Sequence, residues 1–574
     1  MLLEGMPKVK QPKQPFTLES KSVAALPVIN HFLRRLRFET FLTQFLPPPD
    51  KRAKLTDTRV LGILLRNLTL AREPLYGMRE WADGFVPELL GLAPQESEWL
   101  NDDRVGRALD RLFDADRSAL LTEIVLLMVR EFKLDMTEFH NDSTSLPLFG
   151  KFRSAVGSRV RGKATVAAAH GHSKDHRPDL KQLVWILTVS DDGAVPVHFK
   201  VTDGNTEDSG THIQSWQTLR ALVGKSDFLY VADSKLCTAE NQHAIHAQGG
   251  RFITVLPRTR GEDHLMREWL QANLPDWMEV WHKPPANSRR GIPEFIVGAE
   301  SPIPDSYGYR LVWYRSSSKM ENDAGARQEM IQKASQRLAD LAARLNAPRS
   351  RFGSASAVAK EADEILTKAG ATRWIVYTIT ASQQERYRQE KRGRPTQEMR
   401  WRRTTKARFH LQFEIVHSAV DYDSKCDGIF PLVTNDRRAS LREILAAYKS
   451  NQPHVEKRHH FLKTVLEAVP LTLKNIARIE ALLFLLFVAL LTRSLIEREL
   501  RNTMIADGSP SLPLYPEARP CSAPTAERVF EILSGLQRHR LRSGKTLVQE
   551  FPPALNELQS DIVRLLGLSK EAFA

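Results

Sequence analysis

The sequence predicts an α/β protein, with a mixed sheet flanked by helices, an all-helical segment before it and an α/β insertion within it. Three observations predict this. Apolar residues recur at helical spacing over the first 130 residues, the pattern turns strand-like from Lys133, and a long apolar helix is read at residues 479 to 499. With 574 residues the chain exceeds a single compact core, so about two to four domains are expected.

Ile29, Phe32, Leu33 and Leu36 fall at i, i+3, i+4, i+7, and so do Leu61, Leu64, Leu65 and Leu68, with Pro47-Pro48-Pro49 between the two helices. Asn101-Asp102-Asp103 offers caps for a third helix carrying Val105, Leu109 and Leu112. Residues 1–130 are therefore read as a helical domain, either a plain bundle or a module for DNA binding or dimerisation. Beyond it, Leu183–Val189 and Val195–Val201 flank Asp191-Asp192-Gly193, the pattern of a hairpin. A helix with Ile213, Trp216 and Leu219, a strand ending at Asp233, a helix near Ala239–Ala247 and a strand Phe252–Leu256 follow, so 131–257 reads as the first half of an α/β core.

Residues 258–408 are read as the insertion, with strands at Tyr309–Trp313 and Trp374–Ile379 and a charged helix at Ala324–Leu345. Its end, Arg386–Arg408, holds ten Lys or Arg and two Glu, with Tyr387 and Trp401 interleaved. Residues 409–500 read as the second half of the core, with helices at Leu441–Tyr448 and Pro453–Glu467, the latter started by Gln452-Pro453. Residues 501–574 read as a Pro-rich linker and a helical tail carrying Arg538, Arg540 and Arg542.

Composition narrows the partner. With 82 basic and 68 acidic residues, the formal net charge of +14 favours a polyanion. Cys237, Cys426 and Cys521 are widely spaced and form no disulfide or metal pattern, which fits a reducing compartment. Lys8, Lys10 and Lys13 have no apolar core behind them, so no secretory signal is read. The most apolar run, Ala481–Leu491, has 11 residues, short of the roughly 20 that span a bilayer. It reads as a buried helix, and the chain as soluble and cytoplasmic.

Candidate chemistry lies in three acids. Asp142 sits in the run Phe139-His140-Asn141-Asp142-Ser143-Thr144-Ser145, Asp233 ends Phe228–Asp233, and Glu456 lies in Pro453-His454-Val455-Glu456-Lys457-Arg458. Hard divalent ions take oxygen ligands, and two such ions can activate an attacking oxygen and neutralise a leaving one. Taken singly, Asp233 also reads as a turn cap and Glu456 as a solvated helix residue. Ser143 and Thr144, without a placed base, read as local hydrogen-bonders. His170, His172 and His176 have Lys174 and Arg177 among them and no cysteine nearby, so the stretch reads as a phosphate-facing loop rather than a zinc site.

Together these residues resemble the DDE transposases of bacterial insertion sequences, in the branch with a Tyr-Arg-Glu-Lys signature. The resemblance covers most of the chain: Asn101–Asp110, Asp142-Ser143-Thr144-Ser145, Gly171–Asp179, Asp203–Asp208, Ala232-Asp233-Ser234, Glu456 and Arg478-Ile479-Glu480-Ala481-Leu482. It implies an RNase H-like core interrupted between the second Asp and the Glu, here a gap of 223 residues (456 minus 233). Lys463 lies seven residues after Glu456, as the signature asks, but Gln452 stands where Arg is expected and Tyr448 lies one residue early. Glu480 is therefore a rival to Glu456. The resemblance implies Asp142, Asp233 and Glu456 as catalytic ligands of Mg²⁺, with Mn²⁺ as a substitute. It also implies double-stranded DNA as substrate, cut at terminal inverted repeats and joined through a 3′-hydroxyl, and a homodimer on DNA. Lys174, Arg177, Arg400, Arg402, Arg403 and Lys463 are the expected DNA contacts. The alternatives are a nuclease with the same core and no strand transfer, or an inactive DNA-binding derivative.

Overall fold

The computed structural model describes residues 16–70, 73–175, 177–283, 294–345, 347, 350, 352–464 and 473–574, and the side chains of 450–454 fall outside that description. The chain divides into two compact units, Met1–Thr254 with Ala446–Ala574, and Val255–Leu445. It is a mixed α/β protein in which helices flank the larger sheets.

The first unit opens with a strand, β1 (Phe16–Ser22), and six helices: α1 (Leu26–Arg35), α2 (Phe38–Phe45), α3 (Asp57–Leu70), α4 (Met78–Asp83), α5 (Asp102–Asp114) and α6 (Arg117–Phe132). The apolar residues read from helical spacing on α1 and α3 are buried. Asn101 caps α5 by accepting from the Arg104 N–H, and Asp102 and Asp103 occupy its first turn, where carboxylates suit the helix dipole.

The sheet strands follow: β2 (Glu138–Leu148), a short hairpin of β3 (Arg159–Val160) and β4 (Lys163–Ala164), β5 (Lys181–Ser190), β6 (Pro196–Thr202), α7 (His212–Val223), β7 (Leu229–Ala232), α8 (Ala239–Ala247) and β8 (Arg251–Val255). The strand order is β6-β5-β2-β7-β8. β6, β5 and β2 are antiparallel neighbours, whereas β7 runs parallel to both β2 and β8. β2 is thus central, and buried along nearly its whole length. Beside this sheet Gly171 and Gly204 approach back to back. A Cβ on Gly171 would lie 2.1 Å from the Gly204 carbonyl oxygen, and one on Gly204 would lie 2.0 Å from that of Gln182. Glycine is needed there because two backbones meet.

In the second unit α9 (Gly261–Ala272) precedes β9 (Met278–Lys283), β10 (Glu294–Glu300), β11 (Arg310–Ser316), α10 (Ser317–Leu345), α11 (Ala355–Ala369), β12 (Ile375–Gln389), β13 (Trp401–Ile415), α12 (His417–Ser424) and β14 (Ile429–Thr434). β14, β11, β10 and β9 are successive antiparallel neighbours. β12 and β13 form a separate two-stranded ribbon. The unit runs on to Leu445. Within this unit β13 completes the ribbon and β14 pairs with β11.

Next come α13 (Leu441–Thr464), α14 (Ile476–Ala506), α15 (Ala526–Leu533), β15 (Gln537–Ser543), β16 (Thr546–Phe551) and α16 (Glu557–Leu565). Two expectations are corrected here. No helix starts at Gln452-Pro453; α13 is one helix from Leu441, and the expected extension to Glu467 falls outside the described residues. An internal Pro costs a helix about 3 kcal/mol, but Leu441, Ile444, Leu445, Val455 and Leu462 bury one face on both sides of it. Second, Arg538, Arg540 and Arg542 lie on a strand, not a helix. They alternate with the period of two that a strand demands, and β15 pairs with β1 and β16.

α14 is apolar on all sides and packs against α3, α5 and β6. By length and composition it could cross a membrane, yet its apolar stretch is almost wholly buried in the protein. The three cysteines are free and buried.

Candidate metal centre on the central strands

Asp142 is the fifth residue of β2. The last register pair between β2 and β7 is Asn141 with Ala232. Asp142 and Asp233 are therefore the next residues along two neighbouring parallel strands, which lie about 4.8 Å apart, and they share one face. Asp142 Oδ1 accepts from the Ser143 N–H at 2.8 Å, and Asp233 Oδ1 accepts from the Lys235 N–H at 2.9 Å. The Thr254 hydroxyl donates to the Asp233 carbonyl at 2.6 Å and fixes the strand end.

Glu456 is exposed on α13, and its carboxylate accepts no hydrogen bond among the described residues. All three acids have carboxyl pKa values above the ordinary range. For Asp142 burial is the main cause, opposed by Lys174. For Asp233 it is burial, with the Asp142 charge adding to it and Lys235, His212 and Lys174 opposing. For Glu456, exposed as it is, partial desolvation by its surroundings comes first and the charge of Asp142 second. Like charges held together in this way favour a cation between them.

The rival acid is held elsewhere. Glu480 receives the Arg117 guanidinium and the Val166 N–H, both at 2.9 Å. Two residues earlier on α14, Arg478 donates to both oxygens of Asp110 on α5 at 3.0 and 2.8 Å. Arg478 and Glu480 thus anchor α14 to α5 and α6.

Lys174 lies within the acid cluster. Its Nζ lies 2.6 Å from the Ser143 carbonyl, 2.9 Å from Ser143 Oγ, 3.4 Å from Asp142 Oδ1 and 3.6 Å from Asp208 Oδ2. Burial pulls its pKa down, but Asp142, Asp208 and Asp233 outweigh this and hold it above the usual lysine value. Arg177 is engaged by Asp179 through two 2.8 Å bonds, and Lys463 by Asp175 at 2.6 and 2.8 Å. Arg400, Arg402 and Arg403 lie in the second unit, exposed at the outer end of the ribbon, with Arg403 paired to Glu385. His170 and His172 join no metal-capable group among the described residues, and His176 lies outside them.

Three further residues surround the acids, of which only Tyr448 carried a sequence signal. His459, one turn of α13 after Glu456, is buried with Nε2 3.6 Å from Asp142 Oδ2, and burial pushes its pKa down to about 3. It therefore faces the carboxylate as a neutral ring. His212, hydrogen-bonded to the Tyr230 hydroxyl at 3.2 Å, is likewise pushed down to about 4 by burial, against the pull of Asp233 and Asp208. Tyr448 is pushed up to about 12 by burial and the three acids.

At the start of β2, Glu138, His140 and Asp191 bring ligand atoms within 4.8 Å of one another, a group that could hold a metal ion. His140 Nε2 lies 2.9 Å from Glu138 Oε1, and burial and the charge of Glu138 raise the Asp191 carboxyl. Among the described residues this is the one group of three that closes so tightly. Asp142, Asp233 and Glu456 are not drawn together as tightly as that group. All three offer oxygen donors, the chemistry of a Mg²⁺ or Mn²⁺ site.

A family profile described as "Domain of unknown function (DUF4277)" matches residues 18–126. No curated protein matches the chain. Among solved structures, a piggyBac transposase in a synaptic complex with hairpin DNA, seen by cryo-electron microscopy, is similar at 10% identity and a TM-score of 0.25. That likeness covers 51% of this chain and 59% of the transposase, and at this score it carries no argument about fold or function.

Proposed function

We propose that the chain is a DDE-type transposase of an insertion sequence. It would cut double-stranded DNA at terminal inverted repeats and join the freed 3′-hydroxyl to target DNA. The observation that carries this reading is the placement of Asp142 and Asp233 at the same level of two parallel central strands, with Glu456 in electrostatic reach of Asp142. The order β6-β5-β2-β7-β8, antiparallel on one side of β2 and parallel on the other, supports an RNase H-like core.

Asp142, Asp233 and Glu456 would hold Mg²⁺ or Mn²⁺, which when bound supplies charge neutralisation at phosphorus and activation of the attacking oxygen. The chain's own groups do the positioning. Lys174, balanced between Asp142 and Asp208, sets a cation beside the reacting phosphate. The neutral His459 ring crowds Asp142 without neutralising it. Lys463 and Arg177 sit against Asp175 and Asp179, and a DNA phosphate would replace those carboxylates as a charge-assisted partner. Joining two ends takes two such sites, and a two-fold dimer acting on chromosomal DNA in the cytoplasm is the simplest closed assembly.

The test uses a plasmid carrying the inverted repeats that flank the gene. Asp142→Ala, Asp233→Ala and Glu456→Gln should each lower Mg²⁺-dependent cleavage by at least about 100-fold, since even outer-shell ligand changes cost 10–100-fold. Glu480→Gln should act through folding, with cleavage per folded molecule retained. Near-normal cleavage by any of the first three removes that residue from the site. Cleavage without joined products would leave a nuclease instead.

A further inference from the structure

The strands of the ribbon, β12 and β13, carry six Lys or Arg against two Glu. Its register is unbroken from Ile375 opposite Ile415 to Gln389 opposite Trp401. Directly opposed residues share a face, so the pairing sorts every side chain. On one face Ile375, Tyr377, Ile379, Phe409, Leu411 and Phe413 pack onto α10 and α11, and this face ends outward in Glu385, Tyr387, Trp401 and Arg403. The opposite face carries Arg386, Arg388, Arg402, Lys406 and Arg408 with Ser382, Gln384 and Thr404, and no acid over that span. No carboxylate pairs with Arg386, Arg388, Arg402 or Lys406 among the described residues, and all four are exposed.

The outer part, Gln383–Gln389 against Trp401–Ala407, is thus a two-stranded sheet without a core, and such hairpins are marginal in water on their own. Its seven residues extend about 20 Å. A major groove about 12 Å wide admits a two-stranded ribbon, and phosphates line both its edges.

We propose that this ribbon enters the major groove of duplex DNA with its Arg386, Arg388, Arg402, Lys406 and Arg408 face toward the DNA. The proposal deepens the DNA-acting reading above and rests on it for the choice of polyanion. It also divides the cations that sequence alone grouped together: Arg402 faces the groove, while Arg403 points away and is held by Glu385.

The experiment measures binding of the full-length protein to a 30-base-pair duplex of arbitrary sequence and to a single strand of the same length. It is done in EDTA over a range of salt, with dimethyl sulfate reactivity at guanine N7 as a major-groove readout. The triple variant Arg386→Gln, Arg388→Gln, Arg402→Gln is compared with Lys333→Gln, Lys360→Gln, Lys368→Gln, which removes the same charge from α10 and α11. The ribbon variant should bind duplex at least about tenfold more weakly, lose N7 protection, and show a salt slope smaller by up to about 2.7. The helix variant should match the wild type in all three. Equal losses in both triples, unchanged duplex binding by the ribbon variant, absence of N7 protection in the wild type, or tighter binding of the single strand would each overturn the proposal. EDTA keeps the outcome apart from catalysis: a failed ribbon with intact metal-dependent cleavage leaves the functional reading standing, and a confirmed ribbon without cleavage removes it alone.

Discussion

Asp233 shows most clearly how the site trades stability for chemistry. Its folded pKa is raised, by burial first and by Asp142 second. A raised carboxyl contributes stability that is complete below the unfolded pKa, near 3.8, and is lost as pH rises through the folded value. At neutral pH without metal the ionised Asp233 is therefore a net cost. Asn never ionises and still caps the following turn through its Oδ1. Asp233→Asn should melt higher than wild type at pH 7 in EDTA, with the difference vanishing near pH 4. In Mg²⁺ the order should narrow or reverse, because only the wild type gains from ligand binding. Thermal melts at the two pH values check this, and a variant less stable at pH 7 in EDTA would show that the acids do not strain one another. At this scale the sequence was legible where strand pattern and polar residues coincide, so that Asp142 and Asp233 fall at neighbouring strand positions. It was silent on His459 and His212 and on the pairing of Asp208 with Lys174, which are set by which elements meet in space.

Elements were legible where one periodicity ruled them. The β5–β6 hairpin, α1, α3 and α5 follow their apolar patterns closely. The ribbon did not announce its length, because its outer half buries nothing and polar strands carry no apolar alternation. β15 was masked by its arginines, which serve ion pairs rather than a free basic face: Arg540 joins Glu550 at 2.9 Å and Glu88 at 3.1 Å, and Arg542 joins Glu19 at 3.2 Å. α13 was split by Pro453, since a local helix-breaker outweighs distant packing in any short window. α14 outran its 11-residue apolar run because its flanking charges are also satisfied inside the unit, as with Arg493 donating to the Thr69 carbonyl at 2.8 Å and Glu497 meeting Arg458 at 2.8 Å.

For the whole molecule, the first 130 residues belong to the unit that holds the acids. β1 pairs along its full length with β15, α3 and α5 pack on α14, and Arg35 reaches Glu499 at 3.3 Å. Sequence alone treats this segment as a separable recognition domain. Its removal would instead uncover α14, where each exposed Leu or Phe costs about 1.5–3 kcal/mol. A chain starting at residue 131 should be insoluble or fail to show a cooperative melt. A soluble, folded fragment of that kind would restore the separable domain.

The central claim is that Asp142, Asp233 and Glu456 form the divalent-cation site, and Mn²⁺ binding followed by electron paramagnetic resonance tests it without any DNA. Wild type should bind Mn²⁺, Asp142→Ala and Asp233→Ala should abolish the tight component, and Glu456→Gln should weaken it. His140→Ala should leave it in place. Binding that survives Asp142→Ala and Asp233→Ala but is lost in a folded His140→Ala would contradict the claim and move the metal to Glu138, His140 and Asp191.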